Sequence, residues 1–144
     1  MKPIHILLVE DNEGDILLTM DALEEGRISN KVSVIKDGNE AIDFLMQSGK
    51  YAAEDLPDLI LLDVNLPKRN GHEVLSFIKN TESLKQIPVI MLTTSSSEID
   101  IEKAYKGYAN CYITKPFEVN DFITTVMKIA DFWLSIVSLP PNSK

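Results

Sequence analysis

Apolar residues in this chain gather into short unbroken runs, and most of these stop on a residue that can do chemistry. Ile6 to Val9 ends in Glu10-Asp11, Leu59 to Leu62 in Asp63, Val89 to Leu92 in Thr93-Thr94, and Cys111 to Thr114 in Lys115-Pro116. Runs of this length, apolar without alternation, are the pattern of strands buried on both faces of a parallel sheet. Val32 to Ile35 is a shorter β-branched strand. Between the runs, apolar positions recur at helical spacing. Ile16, Leu17, Met20 and Leu23 precede a stop at Gly26, and Ala41, Ile42 and Leu45 follow the Asp37-Gly38 turn and are closed by Gly49. Asn70-Gly71 opens a helix with Val74, Leu75 and Ile78 inward, and Ser97, a good N-cap, opens one with Ile101, Ala104, Tyr105 and Tyr108 on one stripe. Glu118 to Val137 forms a long last helix that Pro140-Pro141 ends, leaving Asn142 to Lys144 as a frayed tail. Lys50 to Pro57 has no period and reads as a surface loop.

Strand and helix patterns thus alternate, five of each. That predicts an α/β fold, a doubly wound five-stranded parallel sheet with helices on both faces joined by right-handed crossovers. Nothing is left over for a second domain, so residues 1–144 are expected to form one domain with its core at about 4–139 and no output domain. In such sheets ligands bind at the carboxyl ends of the strands. The carboxylates of Glu10, Asp11 and Asp63, the hydroxyl of Thr93 and the ammonium of Lys115 are therefore expected to converge on one small site.

Composition narrows the function. The chain is 44% hydrophobic and 25% charged, as in an ordinary soluble globule. A net charge of −8 argues against nucleic acid as a partner, because that binding depends on neutralising phosphates. No apolar run approaches the length needed to span a membrane, and the N-terminus runs straight into a strand without a signal-peptide layout. The single cysteine, Cys111, excludes an internal disulfide and fits a cytoplasmic, reducing setting. Its place in an apolar strand suggests a buried, inert thiol.

Like-charged carboxylates at adjacent strand ends repel, and at least one pKa should rise unless a cation neutralises them. Hard oxygen ligands in an open, water-accessible site favour Mg²⁺. Lys115 could steady the cluster at rest and hold a phosphoryl oxygen later, and Thr93 could hold another. Asp63 could then attack phosphorus and form an acyl phosphate, a transfer that rests on positioning and charge stabilisation. Taken singly, each of these residues has a structural reading, since Asp and Thr commonly end strands as turn residues or caps. Their coincidence at one end of successive strands favours a phosphoryl-and-metal site.

These residues make the chain resemble the receiver domain of bacterial two-component response regulators. The likeness runs from Ile4 to about Leu139. It rests on Glu10-Asp11, Asp63 within Leu-Asp-Val-Asn-Leu-Pro, the Asn70-Gly71 helix start, Thr93, and Lys115-Pro116-Phe117. The resemblance implies a flavodoxin-like fold with strand order 2-1-3-4-5. It implies that Asp63 accepts a phosphoryl group from a phosphohistidine on a sensor histidine kinase. Mg²⁺ would be held by Asp11, Asp63 and the backbone carbonyl of Asn65, with Glu10 acting mainly through water. Lys115-Pro116 would be a cis peptide. Tyr112 would be the aromatic switch, turning inward as Thr93 moves toward the phosphate and changing the surface of the fourth helix, fifth strand and fifth helix.

A narrower likeness, to the single-domain regulators of bacterial phytochrome kinases, rests on three features. They are Asn110 to Pro116, Phe132-Trp133 with Ser138-Leu139-Pro140, and the extra loop from Lys50 to Pro57. The chain also departs from the general family pattern. Thr94 stands where a small residue is usual, Ser95 replaces a longer polar residue, and Tyr108 stands where many receivers have the glycine that ends the fourth helix.

The last helix is unusually apolar. Phe132, Trp133 and Ile136 either pack under the terminal turns or, with Tyr108, form a surface for a partner or a homodimer. His5 and His72 lack metal-ligand spacing and are expected at the surface or a strand edge. The downstream protein is not legible. Two rivals remain, a Mg²⁺-dependent phosphohydrolase with Asp63 as nucleophile and a non-phosphorylated scaffold on the same fold. Asn65 counts against the first, since a general acid is wanted there. The intact charge cluster counts against the second.

Overall fold

The apolar runs become strands β1 (Ile4–Val9), β2 (Asn30–Ile35), β3 (Leu59–Asp63), β4 (Val89–Thr93) and β5 (Cys111–Thr114). All pair in parallel, in the order β2-β1-β3-β4-β5. Between them lie α1 (Glu13–Glu25), α2 (Gly38–Leu45), α3 (Gly71–Lys79) and α4 (Glu98–Lys106), and α5 (Val119–Asp131) follows β5. This is the doubly wound, flavodoxin-like arrangement expected. The computed structural model describes residues 4–26, 30–93, 98–115 and 117–131, and at positions 30, 93, 130 and 131 the backbone alone. Ser97, Thr94, Ser95, Pro116, Phe132, Trp133, Ile136 and the last helix beyond Asp131 lie outside the described residues.

Alternation along each central strand divides the core into two layers. Ile6, Leu8, Leu59, Leu61, Ile90 and Leu92 face α1 and α5, where they meet Ala22, Leu23, Phe122 and Val126. Leu7, Val9, Ile60, Leu62 and Met91 face the other way, toward Phe44 and Leu45 of α2, Val74, Leu75 and Ile78 of α3, and Ala104 of α4. Both faces of the middle strands are therefore dry, which is why their runs are apolar throughout. Each fully buried Leu or Ile contributes about 1.5–3 kcal/mol.

The helix starts follow the expected chemistry. Asn12 caps α1 and Asp37 caps α2, each accepting from the backbone N–H three residues on. Asn70 and Glu73 form a reciprocal capping box at α3. Gly71 is required there by space. A Cβ on it would lie 2.2 Å from the carbonyl oxygen of Asp63 and 2.8 Å from Cα of Val64.

Helix ends depart from expectation. α2 stops at Leu45, not at Gly49. Ser48 N–H donates to the Asp43 carbonyl and Gln47 N–H to that of Phe44, with Gln47 at φ 54°, which is a Schellman turn built on a residue other than glycine. Gly49 instead begins a short 3-10 turn, Gly49–Tyr51. That turn brings the Tyr51 ring to 5.2 Å from that of Phe44, so the expected surface loop is partly anchored, and Pro57 within it is buried.

α4 ends by the same device. Ala109 N–H donates to the Ala104 carbonyl and Tyr108 N–H to that of Tyr105, with Tyr108 at φ 70°. The turn swings Tyr108 off the helix face, leaving it 76% exposed and Tyr105 49% exposed. Of the expected α4 stripe, only Ala104 is fully buried. His5 also departs from the expected surface or strand-edge position. It lies in an inner strand, is buried, and its Nε2 meets Ser33 Oγ at 2.9 Å. Burial, with the charge of Lys31, lowers its pKa. Cys111 is only half-buried, and burial raises its thiol pKa.

Two substitutions test these backbone constraints. Gly71→Ala forces a methyl into main-chain atoms and is expected to destabilise by about 2–4 kcal/mol in urea unfolding. Tyr108→Gly relieves the left-handed backbone and is expected to stabilise by about 1 kcal/mol, read as a rise in Tm.

Candidate functional site

The parallel register brings the carboxyl ends of β1, β3, β4 and β5 to one edge. Val9 pairs with Leu62, Asp63 with Leu92, and Thr93 with Thr114. The next residues along β1 and β5 are Glu10 and Lys115, so side chains far apart in sequence meet. Glu10 is 2% exposed, Asp63 5% and Lys115 6%. Asp11 stands at the solvent side. Carboxylate oxygens of Glu10, Asp11 and Asp63 lie within 4.8 Å of one another.

Lys115 sits among them. Its Nζ donates to Glu10 Oε1 at 2.5 Å and to Asp15 Oδ2 at 2.8 Å, and stands 3.8 Å from Asp63 Oδ2. Burial opposes its charge, but Asp15, Glu10 and Asp63 outweigh burial and raise its pKa. Asp63 is pushed up to about 7. Burial is the largest cause, followed by the hydrogen bond and the charge of Glu10, while Lys115 and the Asn65 N–H pull the other way. The Asn65 N–H points at Asp63 Oδ1 across 3.4 Å, a long contact. The crowd of anions thus carries more negative charge than one ammonium offsets.

Of the residues expected at the site, Glu10, Asp11, Asp63 and Lys115 are together. Thr93 ends β4 at the same edge, its side chain outside the described atoms. Asn65 lies in the loop that follows β3. Tyr112 is half-buried on β5, opposite Met91 and against the α2–α4 core layer. Asp15 is an addition. In the sequence it reads as an acidic residue favouring a helix N-terminus, and nothing local signals a lysine 100 positions away. His72, expected at the surface, is largely covered, 3.3 Å from Asp100 between α3 and α4.

The donor set is all oxygen and hard, it is anionic in excess, and burial together with Glu10 makes Asp63 shed its proton reluctantly. A magnesium-sized divalent cation fits that description.

Comparison with known proteins agrees with the architecture. The profile of the response regulator receiver domain matches residues 6–127. The response regulator Rcp1 of Synechocystis sp. is 44% identical over 138 residues, which covers 96% of this chain and 94% of Rcp1. The crystal structure of the phosphorylated cyanobacterial phytochrome response regulator RcpA superposes with a TM-score of 0.83 at 46% identity, covering 96% of this chain and 99% of that one. The Mn²⁺-bound form of Rcp1 gives 0.81 at 44% identity, with the same coverage of each chain. The chain belongs to the response regulator receiver family of two-component systems, and phytochrome response regulators are among its near structural relatives.

The raised Asp63 pKa has a measurable consequence. The native state holds this proton more tightly than the unfolded chain, so stability of the metal-free protein should fall as pH rises from about 4 to about 7. Asp63→Asn removes the buried charge. In urea unfolding it is expected to stabilise the metal-free protein by about 1–3 kcal/mol near neutral pH, a gain that shrinks toward pH 4. Magnesium chloride should then stabilise the wild type and leave the variant unchanged.

Proposed function

We propose that this chain is a stand-alone response regulator that takes a phosphoryl group from a sensor histidine kinase onto Asp63. The observation that carries this reading is a buried carboxylate, Asp63, with carboxylate oxygens of Glu10 and Asp11 within 4.8 Å and the Lys115 ammonium at 3.8 Å. In the transfer, an ionised Asp63 oxygen attacks phosphorus as the P–N bond to the donor imidazole breaks, and the imidazole leaves neutral, keeping the proton on its other ring nitrogen. Glu10, Asp11 and Asp63, with the Asn65 carbonyl, would hold Mg²⁺, which supplies charge for the transferring oxygens. Lys115 takes up another of those oxygens by exchanging a carboxylate contact for a phosphoryl one. Thr93 takes the third and draws Tyr112 with it, shifting the population of surface states.

The first helix offers the kinase a landing place. Leu17 is 62% exposed, Leu18 39% and Met20 36%, all on the helix that begins beside Asp11 and carries Asp15. Exposed aliphatic side chains next to a phosphoacceptor suit a helical partner. The likeness to RcpA and Rcp1, each spanned almost end to end by this chain, supports a phytochrome-type kinase as the donor and a cytoplasmic setting. A homodimer that uses Tyr108 and the last helix, with Phe132, Trp133 and Ile136, belongs to the same reading. Among the described residues no helix is long and apolar enough to cross a membrane.

Incubation with Mg²⁺ and a small-molecule phosphodonor should add the mass of one phosphoryl group, labile to hydroxylamine, and Asp63→Asn should abolish it. Repeated turnover of external phosphoesters would point instead to a phosphohydrolase, and no modification at all to a scaffold.

A further inference from the structure

On the sheet face away from α1 and α5, a groove of about 290 Å³ runs between α3 and α4, lined by His72, Leu75, Lys79, Lys103, Lys106 and Tyr108 among others. Its floor is apolar, with Leu75 against the backbone of Gly107, where an added Cβ would lie 2.9 Å from Leu75 Cδ2. Its walls are basic, in a chain of net charge −8. Lys103 and Lys106 lie one turn apart on α4, and Lys79 faces them from the end of α3.

Little acid answers these lysines. The Lys79 ammonium donates to the carbonyls of Lys85 at 3.1 Å and Ile87 at 2.8 Å, and among the described residues it meets no carboxylate. Burial without a counter-charge lowers its pKa to about 8. Among the described residues, Lys106 pairs with Glu102 alone, at an exposed 3.4 Å, and Lys103 has no ion pair. Three lysines around one apolar floor give this groove a local positive charge that an anionic group would meet.

The second observation is Tyr108. It occupies the left-handed position that ends α4, at φ 70°, where glycine is the unstrained choice. A bulky residue there is an outlier. The side chain is 76% exposed and recovers nothing by packing into the core. Strain held without internal benefit points to an external contact, and tyrosine is a favoured interface anchor.

We propose that the α3–α4 groove docks an acidic peptide segment of a partner protein. Carboxylates would pair with Lys103, Lys106 and Lys79, and an apolar side chain would lie over Leu75 against Tyr108. An apolar floor between charged walls suits a peptide better than inorganic phosphate, which needs donors converging on one point.

The test uses the full chain, ¹⁵N-labelled, titrated with the blocked peptide acetyl-Glu-Glu-Leu-Glu-Glu-amide. Saturable amide shifts confined to α3, α4 and the turn after α4 are expected, weakened by salt and absent with the Gln-for-Glu peptide. The double variant Lys103→Glu, Lys106→Glu should weaken binding by about tenfold or more. Tyr108→Gly should weaken it several-fold while remaining folded, and both variants should still bind beryllofluoride with Mg²⁺ as the wild type does. Shifts mapping elsewhere, or wild-type affinity in the variants, would overturn the proposal. So would inorganic phosphate reproducing and competing with the peptide shifts, which would mark a small-anion site.

Discussion

One buried ammonium among carboxylates sets the character of this molecule. Lys115 stands within 3.8 Å of Glu10 just past β1, Asp15 in α1 and Asp63 at the end of β3. At that separation a pair of unit charges interacts by about 4 kcal/mol at an effective dielectric near 20. Removing the charges from water costs several kcal/mol per ion, and a buried ion pair is favourable only if its geometry is held. The rest of the fold is arranged to hold it. Strand register sets the height of each side chain along the edge, and a slip of one residue in β3 would turn Asp63 to the opposite face.

That register is secured by apolar packing on both sides of the sheet. Ile6, Leu8, Leu59 and Leu61 lock one face against α1 and α5, and Leu7, Val9, Ile60 and Leu62 lock the other against α2 and α3. A charge cluster with a strained protonation balance can persist at the edge because the strands behind it cannot shift. Burial and the neighbouring Glu10 carboxylate push the Asp63 pKa up to about 7, despite Lys115 nearby, and a site with that excess of negative charge suits a cation.

Much of this was legible in the chain, because apolar runs and their terminators obey a simple geometric rule. Four of the five strands end where polarity changes, and parallel order brings those ends together, so Glu10, Asp11, Asp63 and Lys115 could be grouped without coordinates. What was not legible depends on local backbone turns and on long-range pairing. Asp15 looks like a helix-start acid, and only the tertiary fold reveals its contact with Lys115. The left-handed turns at Gln47 and Tyr108 use residues that do not advertise that conformation, so the apolar pattern alone runs α2 on to Gly49 and places Tyr108 on the α4 stripe. His5 reads in sequence as a surface or strand-edge residue, although its strand has neighbours on both sides and its Nε2 meets Ser33 Oγ.

The contact at Gly71 carries a mechanical implication. The helix it begins abuts the main chain of β3 directly, with its N–H donating to the Val64 carbonyl at 2.8 Å and no side chain between. Nothing compressible separates the strand tip from the helix, so α3 has no slack at its inner end. A displacement of the main chain at Asp63 is passed whole to a rod about 14 Å long, whose far end carries Lys79.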